Sequence, residues 1–171
     1  MTVFHKRIGL VGKSGSGKSV AGSFLNIQHG YRHVKTGAIC REIARMLFGN
    51  EDKKSTQLLD DTLTQIDNSI FLRASLEGVN LEGLIVIDSL RFKSDLDLAR
   101  ELGFFVVRIE ADEPTRLSRL RSRGQAYDPK TDGIHRSEVE LEVEVVDATI
   151  CNDAATEVFH QRLMDAVAQH S

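Results

Sequence analysis

The sequence predicts a three-layer α/β fold, in which helices cover both faces of a five-stranded parallel sheet. Short apolar runs alternate along the chain with segments of helical periodicity. Two of these runs, 84–87 and 104–107, contain only apolar residues, which is typical of strands buried on both faces of a parallel sheet. A loop rich in glycine and serine follows the first run, at a strand-to-helix junction.

In the first half of the chain, Ile8–Val11 is the predicted first strand, and the residues from Val20 to Leu25 suit the helix that follows it. A short strand is predicted at 32–34, followed by a helix that Thr36 caps and that ends at Gly49-Asn50. A second long helix is predicted from a Ser55 cap to Gly78, because apolar residues recur there at helical spacing: Leu58, Leu59, Leu63, Ile66, Ile70 and Phe71.

In the second half, strands are predicted at 84–88 and 104–109, with a helix from Ser94 to Leu102 between them. Residues 138–145 alternate between glutamate and apolar side chains, which fits a half-buried strand. A helix to Glu144 followed by a strand at 146–151 is the preferred interpretation, with the strand at 138–145 left open. A last helix at 155–169 should bury one face, formed by Phe159, Leu163 and Val167.

Length and charge limit the classes of function. A chain of 171 residues predicts a single domain, and a net charge of −3 argues against a nucleic-acid partner. Since no segment has membrane-spanning length or the pattern of a signal sequence, we expect a soluble, cytoplasmic protein. Cys40 and Cys151 lack metal-ligand spacing, so two reduced and mostly buried thiols are expected. The oligomeric state is not predicted.

The glycine-rich loop fits the pattern G-x-x-x-x-G-K-[ST] at every fixed position, which predicts a nucleoside triphosphate site and the P-loop NTPase version of the fold. Its backbone N–H groups can turn inward onto phosphate oxygens, and the helix that starts near Val20 adds its dipole. Lys18 is expected to contact the β and γ phosphates of ATP, and Ser19 to contact Mg²⁺. The predicted cofactor-binding residues are Gly12, Lys13, Ser14, Gly15, Ser16, Gly17, Lys18, Ser19 and Val20.

A carboxylate ends the strand at 84–88. Because the carboxyl ends of parallel strands meet at one edge of a sheet, Asp88 should lie beside the glycine-rich loop and bind Mg²⁺ together with Ser19. A turn or cap aspartate is the alternative interpretation. Arg91, three residues later, is expected to hold a second anionic group.

Several segments resemble nucleoside monophosphate kinases. Lys35-Thr36-Gly37-Ala38-Ile39-Cys40-Arg41 resembles the Thr-Gly…Arg element of that family, and Asp88-Ser89-Leu90-Arg91 lies where the family places a second arginine. His135-Arg136-Ser137-Glu138 and 147–153 resemble phage-type deoxynucleoside monophosphate kinases, and the 147–153 ending also resembles dephospho-CoA kinases. The resemblance implies a helical acceptor-binding region at 36–78. It also implies acceptor contacts from Thr36, Gly37, Arg41 and Arg91. Separately, adenine is often recognised through backbone groups, and Asn152-Asp153 is the candidate place for it.

The resemblance also implies a mobile lid at 116–136. Arg116, Arg119, Arg121 and Arg123 precede a polar stretch that ends at Gly133, and lid arginines in the family neutralise the phosphoryl group in transfer. Arg119 and Arg123, four residues apart on one face, are the predicted catalytic pair, beside Lys18 and Asp88. A solvated basic helix face is the alternative. His135 and Glu138 are weaker candidates, since His135 or Ser137 could simply begin a helix.

The acceptor is suggested by a missing carboxylate. Kinases that phosphorylate a hydroxyl use a base, and dephospho-CoA kinases carry an aspartate after the second strand, where this chain has His33-Val34-Lys35-Thr36. A phosphate acceptor is already largely ionised at neutral pH and needs cations instead. The sequence therefore predicts transfer from ATP, with Mg²⁺, to a nucleoside or deoxynucleoside 5′-monophosphate.

Two alternatives stay open. The first is a dephospho-CoA kinase-like or other small-molecule kinase, with His33 as the base. The second is a nucleotide-dependent switch or regulatory ATPase. Against it, the chain lacks an Asn-Lys-x-Asp guanine motif, and Ser89 replaces the glutamate that motor ATPases use to activate water.

Overall fold

Five parallel strands form the central sheet in the computed structural model, which describes residues 3–169. Their order across the sheet is β2-β3-β1-β4-β5. The strands are β1 (Arg7–Val11), β2 (Arg32–Val34), β3 (Ile85–Ile87), β4 (Phe105–Glu110) and β5 (Ala148–Cys151). The predicted fold class is confirmed, because helices lie on both faces of this sheet and the strands occur where the apolar runs predict them.

The helices follow the strands in alternation over most of the chain. They are α1 (Lys18–His29), α2 (Thr36–Phe48), α3 (Lys53–Leu63), α4 (Ile70–Leu76), α5 (Lys93–Glu101), α6 (Glu113–Ser122), α7 (Arg136–Val139) and α8 (Thr156–Val167). A single 3-10 turn at Asp132–Ile134 precedes α7. In the range 3–169, none of these helices is long and apolar enough to cross a membrane.

Two apolar clusters, one on each face of the sheet, form the core. On one face Leu25 of α1 packs with Phe159, Leu163 and Val167 of α8, so the predicted buried face of the last helix is confirmed. On the other face, the cluster includes residues of α4 and α5 together with Leu141. This arrangement fixes the sheet between two layers, so that its carboxyl edge remains available for a site.

A smaller cluster joins α2, α3 and α4, where Cys40, Ala44 and Leu59 are buried. The prediction of one long helix over 55–78 is wrong, because the chain turns between Leu63 and Ile70. Asp67 accepts a bond from the backbone N–H of Ser69 at 2.8 Å, and such local bonds favour turns over helix.

The starts of α2 and α3 also differ from the prediction. Asp52 rather than Ser55 caps α3, accepting a 2.8 Å bond from the backbone N–H of Ser55. Thr36 is the first residue of α2 and not its cap, since its hydroxyl donates to the carbonyl of Ser89 at 2.6 Å. The hydroxyl thus ties the start of α2 to the end of β3.

Residues 138–145 form neither a strand nor the predicted helix to Glu144. One helical turn ends at Val139, and a series of turns follows. Val143 and Val145 are 87% and 80% exposed, so the alternation does not bury a face. The Arg108 guanidinium of β4 donates to the carbonyls of Leu141 and Glu142 at 2.6 and 3.0 Å, which holds these turns against the sheet.

The two cysteines differ in burial. Cys40 is buried as predicted, but Cys151 is exposed, so the prediction for the second thiol is wrong. Cys151 ends β5, which lies at the edge of the sheet with one neighbouring strand. Both are free thiols.

Candidate phosphoryl-transfer site

The glycine-rich loop lies between β1 and α1 and wraps closely against neighbouring segments. Gly15 has a φ of +80°, and a Cβ built there would lie 2.7 Å from the carbonyl oxygen of Arg116. Gly17 has a φ of +112° and faces the side-chain amide of Asn152. Any other residue at either position would have a strained backbone, and its Cβ would clash with these neighbours. The shape of the loop therefore requires both glycines.

Lys18 folds back onto its own loop. Its Nζ donates to the carbonyls of Gly12 and Lys13 at 2.5 and 3.0 Å. Burial of the ammonium group lowers the pKa of Lys18 to about 8, although the Glu138 carboxylate acts in the opposite direction. The charge expected to bind phosphate is therefore held inside the loop, close to the point where it would act.

Ser19 and Asp88 meet at the carboxyl edge of the sheet. The Ser19 hydroxyl donates to Asp88 Oδ2 at 3.2 Å, which places the two predicted metal-binding residues together. His33 of β2 contacts the same oxygen through Nε2 at 3.0 Å, and both its side chain and that of Asp88 are 7% exposed. Sequence reasoning missed this pair, because only the order β2-β3 brings the two residues side by side.

A glycine of α1 makes room for the histidine ring. A Cβ built at Gly22 would lie 2.8 Å from Cε1 and 2.9 Å from Cδ2 of His33. The contact shows that His33 is enclosed between α1 and Asp88. We conclude that its orientation is fixed by packing as well as by the bond to the carboxylate.

The residues at Ser19 and Asp88 fit a Mg²⁺ ion. A hydroxyl and a carboxylate are hard oxygen ligands, and Mg²⁺ in such sites takes one or two protein ligands and completes its shell with water and phosphate oxygens. The part of the chain that the structure describes holds no group of three or more His, Cys, Asp or Glu side chains arranged for a metal.

Arg119 supports the phosphate loop from behind. Its guanidinium donates to the carbonyls of Gly15 and Asn152 at 3.4 and 3.0 Å, and the Asn152 side chain donates to the carbonyl of Ser16 at 2.8 Å. Arg116 donates to the carbonyl of Ser14 at 3.1 Å and is 6% exposed. These bonds hold the carbonyls of Ser14, Gly15 and Ser16 and so fix the shape of this part of the loop.

The structure separates the two arginines predicted to act as a pair. Arg119 contacts the loop, whereas Arg123 is exposed and lines an open groove with Val20 and Thr156, on the side of α1 and α8. Arg121 is exposed as well. A role of Arg119 and Arg123 at the transferring phosphate remains a prediction, and of these two arginines Arg119 is the one that contacts the loop.

The two arginines predicted to bind the acceptor converge at Gly37. A Cβ built at Gly37 would lie 2.8 Å from Nη2 of Arg91 and 3.0 Å from Nη1 of Arg41, so both guanidinium groups face the same turn of α2. Arg91 Nη1 also pairs with Asp60 of α3 at 2.9 Å, and the Asp60 side chain is 2% exposed. Asp60 is a further residue that the sequence did not reveal.

The region around Asp60 is fixed by buried groups. Burial raises the pKa of the Cys40 thiol to about 12, with Asp60 acting in the same direction, so the thiol is neutral and directs its sulfur toward the carboxylate at 3.8 Å. Asp95 accepts bonds from the backbone N–H groups of Arg91 and Phe92 at 3.1 and 3.2 Å. Burial raises the pKa of Asp95 to about 6, despite those bonds. Arg91 is thus held at its backbone and at its side chain.

Glu138 of α7 reaches the phosphate loop. Its carboxylate accepts bonds from the backbone N–H and hydroxyl of Ser14 and pairs with Lys53 of α3 at 2.9 Å. His135 caps α7, accepting a 3.2 Å bond from the backbone N–H of Ser137, and its Nε2 contacts Asp61 at 3.1 Å. Of the two weaker candidates, only Glu138 touches the loop.

A cleft of about 530 Å³ opens between the loop, the end of β4 and the residues after α7. Glu138, Arg91 and Arg116 line it, together with Gly12 and Lys13. The glycine-rich loop, Arg91 and the residues in and after α7 therefore border a common space.

These features match a known family. The sequence profile of a family described as AAA domain matches residues 8–147. The chain belongs to this family, as a P-loop kinase domain. The structures it resembles include a gluconokinase from Sinorhizobium meliloti 1021, with a TM-score of 0.67, 19% identity, and coverage of 94% of this chain and 90% of that one.

Two curated relatives match along almost their whole length. A UPF0200 protein of Methanothrix thermoacetophila is 27% identical over 170 residues, covering 91% of this chain and 93% of the relative. A protein of Acanthamoeba polyphaga mimivirus named "Putative deoxynucleotide monophosphate kinase" is 24% identical over 198 residues, covering 94% and 95%. Membership in this family supports an ATP-dependent kinase, and the predicted family resemblance is confirmed.

Proposed function

We propose that the protein transfers the γ-phosphoryl group of ATP to the phosphate of a nucleoside or deoxynucleoside 5′-monophosphate. The observation that carries this proposal is the convergence of Arg41 and Arg91 at Gly37, beside the strand end that carries Asp88. Two guanidinium groups facing one point suit a phosphate dianion, which accepts charge-assisted bonds from both.

The donor would lie in the phosphate loop. Lys18 would exchange its bonds to the loop carbonyls for bonds to the β and γ phosphates, while backbone N–H groups hold the remaining oxygens. Ser19 and Asp88 would hold Mg²⁺, which neutralises charge on the phosphates when it is bound. Arg91 lies close enough to Lys18 to lower its pKa, so the two halves of the site are adjacent.

The contacts of His33 argue against its use as a base. A base needs a free nitrogen directed at the acceptor, but the Nε2 of His33 is bonded to Asp88 and its ring is packed against Gly22. We assign His33 to positioning Asp88. A monophosphate acceptor fits a site without a dedicated base, because the attacking oxygen is already ionised at neutral pH.

The full-length match to the mimivirus relative supports a nucleotide acceptor. The gluconokinase likeness, at 19% identity, supports the fold alone and not a sugar-acid acceptor. The assay therefore also includes acceptors with a hydroxyl group, and phosphorylation of such an acceptor alone would contradict the proposal.

The experiment is a coupled assay of ADP release with ATP, Mg²⁺ and a panel of ribo- and deoxyribonucleoside monophosphates, each also omitted in turn. We expect turnover that requires a monophosphate and is lost in Lys18→Ala. Equal ADP release without any acceptor would indicate an ATPase or switch. Turnover with gluconate or dephospho-CoA, but with none of the monophosphates, would replace the proposal with a hydroxyl kinase.

A further inference from the structure

Glu138 occupies the phosphate loop with a carboxylate. Oε2 accepts the backbone N–H of Ser14 at 2.8 Å, and Oε1 accepts the Ser14 hydroxyl at 2.5 Å. Lys53 Nζ lies 2.9 Å from Oε1, and the Glu138 side chain is only 6% exposed. A buried anion is thus bound by a backbone N–H and a hydroxyl of the loop and by the ammonium of Lys53 from α3, which are the kinds of group that bind phosphate.

The carboxylate is ionised at neutral pH. Burial by itself raises the pKa of Glu138, but the charge of Lys53 and the bonds from Ser14 outweigh burial and lower the pKa to about 2. Glu138 therefore acts as the counter-ion of Lys53.

A nucleotide phosphate and this carboxylate are mutually exclusive at Ser14. The backbone N–H offers one hydrogen, and two anions in one buried place repel each other strongly. The ion pairs Lys13–Glu142 and Lys93–Glu144 join side chains that are 23–51% exposed, whereas the bonds from Arg108 hold the backbone of the residues after Glu138 on the sheet. Rotation of the Glu138 side chain would therefore withdraw its carboxylate from Ser14 without moving that backbone.

We propose that Glu138 is an internal ligand of the phosphate loop, that the terminal phosphates of ATP displace it, and that Lys53 is then released to bind those phosphates. The inference rests on the donor site of the proposed function and adds two residues to it. Lys53 belongs to α3, so its transfer from Glu138 to the nucleotide would link donor binding to the helical region that is expected to hold the acceptor.

The test is an equilibrium titration with MgATP in the absence of acceptor. Glu138→Gln keeps the size of the side chain and removes its charge, so we expect ATP to bind at least fivefold more tightly than to the wild type. Glu144→Gln is the matched control, because it removes the same charge from the same segment and breaks a contact to Lys93 that is remote from the loop. We expect its affinity to stay within twofold of the wild type.

A second comparison isolates Lys53. In the Glu138→Gln background, Lys53 has no carboxylate to release, so adding Lys53→Met should weaken ATP binding about tenfold if the ammonium contacts phosphate. Equal affinity of the single and double variants would overturn the transfer of Lys53. If Glu138→Gln does not fold, Glu138→Asp withdraws the carboxylate from Ser14 and should still bind ATP more tightly than the wild type.

The outcomes separate the inference from the proposed function. ATP binding by the wild type that is equal or tighter than that of both Glu138 variants would overturn the internal ligand and leave the donor site intact. Failure of the wild type and of all folded variants to bind MgATP would remove the donor site itself, and the proposed function with it.

Discussion

At the scale of single residues, Lys18 carries its charge in a place that disfavours it. Burial lowers its pKa to about 8, and the groups that act on its charge are Glu138, Arg91, Asp88 and Lys53. Because the folded pKa lies below that of a free lysine, the unfolded chain binds more protons between about pH 8 and 10.5. The burial of Lys18 therefore costs stability at neutral pH, and this cost disappears as the pH rises through that window.

The same pKa predicts the pH dependence of ATP binding. Phosphate needs the charged ammonium, so above pH 8 binding must take up a proton, and the Kd should rise towards tenfold per pH unit. Calorimetric titrations at pH 7, 8, 9 and 10 measure this slope. Lys18→Ala should bind weakly and show no rise over the same range. A Kd of the wild type that stays flat to pH 10 would contradict the role of Lys18.

The two arginines proposed to bind the acceptor should respond differently to removal. Arg41 is exposed, so Arg41→Ala should raise the KM for the monophosphate roughly 10- to 150-fold, the value of one charge-assisted contact, with little change in stability. Arg91→Ala should raise KM similarly but also destabilise the protein, because it leaves the buried Asp60 carboxylate without its partner.

The double variant Asp60→Asn/Arg91→Ala separates the effect of Arg91 on stability from its effect on binding. Relative to Arg91→Ala, it should recover part of the lost stability and none of the lost affinity for the monophosphate. Thermal unfolding and steady-state kinetics on the same samples measure both quantities. An unchanged KM in Arg41→Ala and in the double variant would remove these arginines from the acceptor site.

At the scale of elements, α1 and β2 are fitted to each other through Gly22 and His33. Gly22→Ala places a methyl group against the histidine ring, which is enclosed and cannot move without leaving Asp88. Overpacking of this kind costs about 1–3 kcal/mol, which exceeds the roughly 1 kcal/mol that alanine gains over glycine in a helix. We expect Gly22→Ala to lower the unfolding temperature and to weaken Mg²⁺-dependent activity.

A double-mutant cycle shows whether the ring is the cause. With His33→Ala the space is empty, and Gly22→Ala should then be neutral or stabilising through helix propensity alone. If Gly22→Ala were equally destabilising in both backgrounds, the loss would come from another contact of α1.

The pattern of apolar residues predicted a helix or strand correctly where a single periodicity, helical or extended, continued along the whole element. The strands at 84–88 and 104–109 and the last helix follow from uninterrupted apolar runs and from one apolar face. The errors at 55–78 and 138–145 arise where side chains bond to the backbone. Asp67 stabilises a turn inside a helical pattern, and Arg108 holds carbonyls that a helix or strand would have used otherwise.

The site was predicted in part for a related reason. Ser19 and Asp88 follow from a motif and from the rule that strand ends meet at one edge, and Arg41 and Arg91 follow from a family resemblance. The side chains that hydrogen-bond to Asp88 and to Ser14 of the loop were not predicted. His33–Asp88 and Ser14–Glu138 are 55 and 124 residues apart in sequence, and their contacts arise from strand order and from the path of the segment after the lid.

At the scale of the whole molecule, residues 138–146 are joined to the rest of the protein by ion pairs whose side chains differ in exposure. Lys13–Glu142 and Lys93–Glu144 connect them to the loop and to α5 through side chains that are 23–51% exposed. The Glu138 side chain is 6% exposed. Salt screens exposed ion pairs far more than buried ones. As the salt concentration rises, Lys13–Glu142 and Lys93–Glu144 should therefore weaken before the contacts of Glu138.

Amide hydrogen exchange as a function of salt measures that order. At 1 M NaCl the screening length falls to about 3 Å, and the two exposed pairs should lose most of their already small contribution. We expect exchange to accelerate several-fold at the amides of Glu142 and Glu144, while the amides of Ser14, Glu138 and Glu140 stay protected. The variant Glu138→Gln should lose protection at Ser14 at low salt, because the charged acceptor of that N–H is gone. Uniform acceleration from 136 to 146 in the wild type would show instead that the segment opens as one unit, with Glu138 contributing no separate attachment to the loop.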